Sequence, residues 1–290
     1  RIFKSIPSIS KKNIANRQKI LKNVDALIFH DPGMVDYYYQ NWKPPFHNIS
    51  VMPYTYYNPD VISRIDSNGS GNKESENGAI KFVLPGSIYK SRRNYNLILS
   101  CFKKVAKQND VNIELIIPGP LFRYESSYGE MLKGLFDRIN NSFPNLKIHY
   151  NCERETTSTE KYDSQMQSAD VILSQMPFDG IKMFKYYDEK YCESTSCHYA
   201  DLVRFCKPGI FPKSFKMIPE LAPIVDIYSN ENDLTKLILK HTDRQFVADQ
   251  QSEAERISRM YFSKVPIMKK FLEQLMTKES AYVERTLKSA

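Results

Sequence analysis

The sequence predicts an α/β fold, a doubly wound parallel sheet preceded by a partial N-terminal α/β segment. Three observations predict it. From Ile80 onward, short apolar runs rich in β-forming residues alternate with longer segments whose apolar residues recur at helical spacing. Most of these runs stop at proline or glycine, where the chain must turn. The two kinds of segment alternate singly instead of clustering, which is the order that βαβ crossovers require.

Each element follows in turn. IKFVLP begins at Ile80 as an apolar strand and is closed by Pro85-Gly86. Residues 96–106 place Leu97, Ile98, Cys101, Phe102 and Val105 at helical spacing. NIELIIPG, residues 112–119, is a second buried strand, stopped by Pro-Gly-Pro. Met131, Leu132, Leu135, Phe136 and Ile139 mark a second amphipathic helix. LKIHY (146–150), a helix near 160–168 and DVILS (170–174) continue the alternation. A helix over 193–206, a strand over 209–211 closed by Pro212, an APIVDI strand (222–227) and a helix over 233–240 follow, with further helices over 246–275. Ahead of Ile80 stand a basic helix (10–23), a DALIFH strand (25–30), a PGMVDYYYQNW helix and a HNISVMPY strand. The polar stretch 66–78, DSNGSGNKESENG, reads as the linker between the two parts.

Glu193 and Asp201 stand eight residues apart at the start of the 193–206 helix. That is about two helical turns, so both carboxylates project from much the same side. In doubly wound proteins, ligands bind outside the C-terminal ends of the strands, where the next helix begins. Carboxylates placed there accept hydrogen bonds from sugar or ribose hydroxyls. Two acids at this spacing also occur on ordinary surface helices. The order of the surrounding segments therefore decides the weight they carry.

That order is specific. IKFVLPGSIYKSRRNYN (80–96), ELIIPGP, LKIHYN, EKYDSQMQSADVILS and CKPGIFP succeed one another as in family-4-like (glycosyl transferases group 1) nucleotide-sugar glycosyltransferases of the two-domain GT-B fold. Residues 193–201 resemble that family's E-x7-E segment, written here as E-x7-D. The resemblance implies a Rossmann-like donor domain over residues 76–245 and a remnant of the acceptor-side domain over 1–75. It also implies C-terminal helices over 246–290 that pack back on the N-terminal part. Fewer residues precede Ile80 than the family's first domain contains, and the chain begins at Arg1, so that domain is read as truncated. The implied activity is transfer of a sugar from a nucleotide-sugar donor to a polysaccharide or glycoconjugate acceptor, either a carbohydrate or a lipid-linked one. The donor is a substrate, and no cofactor is expected.

A nucleoside diphosphate leaving group gains negative charge as the glycosidic bond breaks. Fixed cations and the N–H groups at a helix start stabilise that charge. Gly86 supplies a turn, and Lys90, Arg92 and Arg93 cluster at the entrance to the next helix. Arg93-Asn94 matches the family's lysine–asparagine pair, whereas Ser87 stands where the family has arginine. That departure removes one phosphate cation unless Lys90 or Arg92 substitutes for it. A solvated basic turn is the plain alternative. Cations at a helix N-terminus oppose the macrodipole, however, and this favours a ligand role. By resemblance, Glu193 contacts the transferred sugar and is assigned as catalytic, and Asp201 binds the donor ribose with a shorter reach than glutamate. Ser194, Thr195 and Ser196 either donate to phosphate or only cap the helix. Asp179-Gly180 forms a ligand-facing loop or a plain turn. His30, before Asp31-Pro32-Gly33, is placed either as a cleft-facing catalytic base or in a turn, and His198 is read as packing.

Other classes are set aside on composition. No Ser-His-Asp or HExxH arrangement is present, and no Asp-x-Asp lies near a strand end, so a metal-independent reaction is expected. The 5 cysteines form no CxxC pair, which points to a reducing, cytoplasmic setting. No run is long enough to span a bilayer, and no signal peptide is visible. The net charge of +8 is uneven: Arg1, Lys4, Lys11, Lys12, Arg17, Lys19 and Lys22 all precede the first acid, Asp25. Such a helix suits docking on the anionic inner face of a membrane. Nucleic acid competes for the same charge, but no recognition motif supports it. Two further readings stay open, a non-catalytic glycosyltransferase-like interaction subunit and a nucleotide-sugar epimerase on the same fold.

Overall fold

The computed structural model describes residues 27–29, 49–51, 55–59, 78–88, 90, 93–108, 110–121, 126–151, 157–175, 197–213, 215 and 217–273. Near the N-terminus, β1 (Leu27–Phe29) and β2 (Ile49–Val51) pair in parallel. The expected helices over 10–23 and 32–42 and the linker over 66–77 lie outside the described residues.

From Ile80 the chain builds β3 (Ile80–Val83), α1 (Tyr95–Gln108), β4 (Ile113–Ile117), α2 (Ser126–Ser142), β5 (Leu146–Tyr150), α3 (Thr159–Ser168) and β6 (Val171–Leu173). It continues with α4 (Cys197–Phe205), β7 (Gly209–Pro212), a 3-10 turn (Pro219–Ile224), β8 (Val225–Tyr228), α5 (Glu231–Lys240) and α6 (Arg244–Phe262). Residues 264–273 add a further helical stretch. The six strands lie in the order β5-β4-β3-β6-β7-β8, and every neighbouring pair is parallel. The chain winds outward from β3 to β5, returns to the other flank of β3 as β6, and winds outward again. This is the doubly wound topology, with its switch point between β3 and β6.

The strands read as apolar runs because both faces of the sheet are covered. Successive residues point to opposite faces, and Phe82 and Val83 show the consequence. Phe82 joins the core under α1, α2 and α5, with Phe102, Phe136 and Leu234. Val83 joins the opposite core under α3, α4 and α6, with Met166, Leu202 and Ile257. Phe82 and Phe102 meet edge to face at 5.3 Å between ring centres, a geometry that adds about 1 kcal/mol to the burial of the two rings.

Asp170 fixes where the sheet reverses. Its carboxylate accepts from the Lys81 N–H at 2.8 Å, and its own N–H donates to the Lys81 carbonyl at 2.7 Å. β6 is thereby pinned beside β3 just ahead of its first residue, Val171. Helix α4 stops at Cys206, whose φ of 50° is left-handed. The Lys207 N–H then returns to the Leu202 carbonyl, a helix-closing turn followed by Pro208.

Two element boundaries differ from expectation. Pro212 is the last residue of β7 and does not merely close it, because it lies beyond the last pairing with β6 and faces only Tyr228 of β8. A missing N–H costs little at such a place. The APIVDI strand begins at Val225, since residues up to Ile224, Pro223 included, form the 3-10 turn. The inner face of α6 buries Val247, Ala254, Ile257 and Phe262. Its far end meets the segment 55–59, where the Tyr57 N–H donates to the Phe262 carbonyl at 2.8 Å.

Candidate functional site

At the C-terminal edge of the switch point, four chain segments converge on one turn. β3 runs out through Leu84 into Pro85-Gly86, and Gly86 takes φ +91°, a conformation that side chains disfavour. The loop after β4 crosses directly against it. A Cβ at Gly119 would lie 2.1 Å from the Gly86 carbonyl oxygen, so the two backbones can approach this closely only at glycine. Ile88 then pairs with Leu121, and its N–H donates to the Pro120 carbonyl at 2.9 Å.

Arg93, buried just before α1, holds this turn from beneath. Its guanidinium donates to the carbonyls of Pro85 and Gly86, the latter at 3.2 Å. The next residue, Asn94, caps α1 by accepting from the Leu97 N–H at 3.1 Å. The Asn94 N–H donates at 2.7 Å to the side-chain Oε1 of Gln175, beyond the end of β6. Ser174, between β6 and Gln175, is fully buried. Its N–H donates to the Ile210 carbonyl at 2.9 Å, and its carbonyl accepts from the Tyr228 hydroxyl at 3.0 Å.

His198 on the first turn of α4 closes the knot. Its ring donates to the Pro85 carbonyl, and its Nδ1 lies 2.7 Å from the Ser174 hydroxyl. With one nitrogen donating, Nδ1 is the acceptor of the Ser174 O–H. Burial first, then the nearby Arg93 charge, push the imidazole down to about 3, so it is neutral at pH 7. The Arg93 cation has no ion-pair partner among the described residues. A buried cation without a carboxylate is costly unless an anion completes it.

Of the residues expected at the site, Gly86 and Arg93 form the knot. Ser87 is exposed beside it, and Lys90 is exposed with its ammonium 5.8 Å from the centre of the Tyr128 ring on α2. Asp201 sits elsewhere on α4, facing α3. The Tyr162 hydroxyl donates to its Oδ2 at 3.5 Å, and the pair Arg204–Asp163 closes at 2.5 Å beside it. His30, Arg92, Asp179, Gly180, Glu193, Ser194, Thr195 and Ser196 lie outside the described residues. Sequence reasoning missed Ser174, Gln175, Gly119 and the role of His198. One signal was available, a polar Ser-Gln pair immediately after the apolar strand VIL. Among the described residues, no three His, Cys, Asp or Glu side chains gather as a metal site, and no helix is long and apolar enough to cross a membrane.

Burial raises the Asp201 carboxyl to about 7, outweighing the opposing Arg204 charge and Tyr162 hydrogen bond. The folded protein thus keeps a proton that the unfolded chain releases near 3.8. Stability contributed by this group is present at low pH and is lost as pH rises through about 7. Asp201→Asn is therefore expected to stabilise the protein at pH 8 by on the order of 1–3 kcal/mol, with the gain shrinking toward pH 4. Urea denaturation of both proteins across that range measures it. An equal difference at every pH would refute the assignment.

No protein-family model and no curated protein sequence matches the chain. Solved structures do match. A glycosyltransferase from Rickettsia africae superposes with a TM-score of 0.61 at 13% identity, over 94% of this chain and 68% of that one. The α,α-trehalose 6-phosphate synthase of Burkholderia multivorans gives 0.58 at 11% identity, over 95% and 65%. Anabaena HepE, solved in complex with UDP, gives 0.57 at 14% identity, over 94% and 69%. The chain thus spans about two thirds of the length of each of these proteins. Its sheet is a parallel, doubly wound, Rossmann-like unit that matches a GT-B donor domain. The fold is related to that of these glycosyltransferase and synthase structures.

Proposed function

We propose that the chain binds a nucleotide-sugar at the β3/β6 switch point and transfers its sugar to a polysaccharide or glycoconjugate acceptor, without a metal ion. One observation carries the reading: a buried arginine, without a described acid partner, holds a glycine turn at the edge where doubly wound folds bind ligands. The Arg93 fork uses donors on the Pro85 and Gly86 carbonyls and retains others for phosphate oxygens. As the sugar departs, charge grows on the diphosphate, and this fixed cation beside the N-terminus of α1 stabilises it. A neutral His198 holds the turn without adding a competing charge.

Glu193 is assigned to the transferred sugar, whereas Asp201, which faces Tyr162 on α3 and not the Gly86 turn, is given no ribose contact. Positioning carries most of the rate enhancement, because no covalent nucleophile is invoked. The acceptor is taken to be carbohydrate or lipid-linked, reached at the inner face of a membrane through the basic 10–23 segment.

Calorimetric titration with UDP, GDP and dTDP tests the donor site. Saturable binding of one of them, lost in Arg93→Ala with Glu193→Ala, is the expected result. No binding by folded protein would overturn the reading. A second reading rests on Ser87, which stands where the resembled family has an arginine for phosphate: binding of no nucleotide by the folded protein would favour a non-catalytic interaction subunit.

A further inference from the structure

Gln175 contains a buried donor that no described residue accepts. The residue is 1% exposed, and its Oε1 is occupied by the Asn94 N–H at 2.7 Å. That bond fixes the orientation of the amide, since the flipped form would set two donors against each other. The Nε2 group consequently points away from Asn94 and finds no acceptor among the described residues. Buried amide N–H groups are nearly always satisfied, and leaving one unpaired costs more than a typical hydrogen bond returns. The orphan stands beyond β6, in contact with the residue that follows Arg93, at the capped N-terminus of α1. An unpaired donor, a cation and a helix N-terminus at one place share one preference, for an anionic oxygen.

We propose that Gln175 is a diphosphate-binding residue that donates its Nε2–H to a phosphate oxygen of the nucleotide. The assignment rests on the donor-site reading above and adds a residue to it. Gln175 cannot read a nucleobase edge by exchange of donor and acceptor, because Asn94 holds its carbonyl. It serves only as a donor. Through Asn94 it also ties the α1 N-terminus to β6, so phosphate binding and the packing of the two βαβ halves share one side chain.

Gln175→Glu separates the two roles. The variant keeps an oxygen for the Asn94 N–H and replaces the donor with a charged acceptor. Wild type and variant are titrated with whichever of UDP, GDP and dTDP the wild type selects, and with the corresponding free nucleoside. The expected result is diphosphate binding about 10–100-fold weaker in the variant, with nucleoside binding unchanged. Gln175→Met, which keeps the length and removes both polar atoms, reads the stability share separately by thermal denaturation. If the wild type binds no nucleotide, the donor-site reading itself fails. If it binds the diphosphate and Gln175→Glu binds it equally well, the donor-site reading stands and the Gln175 assignment is wrong. If Gln175→Met lowers the melting temperature but leaves the ratio of diphosphate to nucleoside affinity unchanged, the side chain is structural only, and this also overturns the assignment.

Discussion

Gly119→Ala is expected to lose about 3 kcal/mol or more of stability and all nucleotide binding. The reason is the nature of the clash. The added methyl would meet the Gly86 carbonyl oxygen at 2.1 Å, the Gly86 carbonyl carbon at 2.4 Å and the Ser87 Cα at 2.8 Å. All three are backbone atoms, so no rotamer change relieves the contact. One of the two loops must move, and the Gly86 turn is the one carrying the Arg93 bonds. Gly134, on the helix α2, is the control. A Cβ there meets nothing within 4 Å, so Gly134→Ala is expected to stabilise by up to about 1 kcal/mol through helix propensity. Denaturant unfolding of both variants, followed by titration with the nucleotide that the wild type binds, checks the pair. A Gly119→Ala protein with wild-type stability would mean that the two loops do not touch in solution.

The contrast between these glycines shows how far the sequence alone was readable. The inner strands were legible because a parallel sheet covered on both faces requires continuous apolar runs, and Val171–Leu173 and Gly209–Pro212 are such runs, whereas the edge strand Leu146–Tyr150 alternates apolar with polar residues. Their order in the sheet was not legible from periodicity. It depends on contacts such as Asp170 with Lys81, 89 positions apart. The same limit applied at the site. Gly86 and Arg93 stood out because turn chemistry and a basic cluster are local features. Gln175 and Asn94 are 81 positions apart, and Ser174 and His198 are 24 apart, so their partnership exists only once β6 lies beside β3. The sequence leads one to expect His198 to pack, and it does stack on Phe215 at 6.3 Å. That spacing could not reveal that the same ring bonds the Pro85 carbonyl. Asp201 was recognisable as an acid near a helix start. Its side chain faces Tyr162 on α3 instead of the Gly86 turn, because helix phase alone does not say which neighbour packs on which face.

Arg93→Ala is expected to remove nucleotide binding and to cost about 2–4 kcal/mol, since it strips a donor from two carbonyls at once and leaves the Gly86 oxygen without that partner. Arg93→Lys distinguishes charge from geometry. An ammonium retains the positive charge but cannot span the Pro85 and Gly86 carbonyls as a planar fork does. The lysine variant should therefore recover part of the nucleotide affinity and little of the stability. The Pro85 carbonyl also accepts from His198, so the two side chains share one acceptor and cannot be independent. A double-mutant cycle with His198→Gln should show a coupling of about 0.5–3 kcal/mol. If the lysine variant matches wild type in both affinity and stability, the fork is irrelevant and the cation alone suffices. If it matches alanine in both, the turn geometry sets the site, and the charge of Arg93 serves the fold before it serves the ligand.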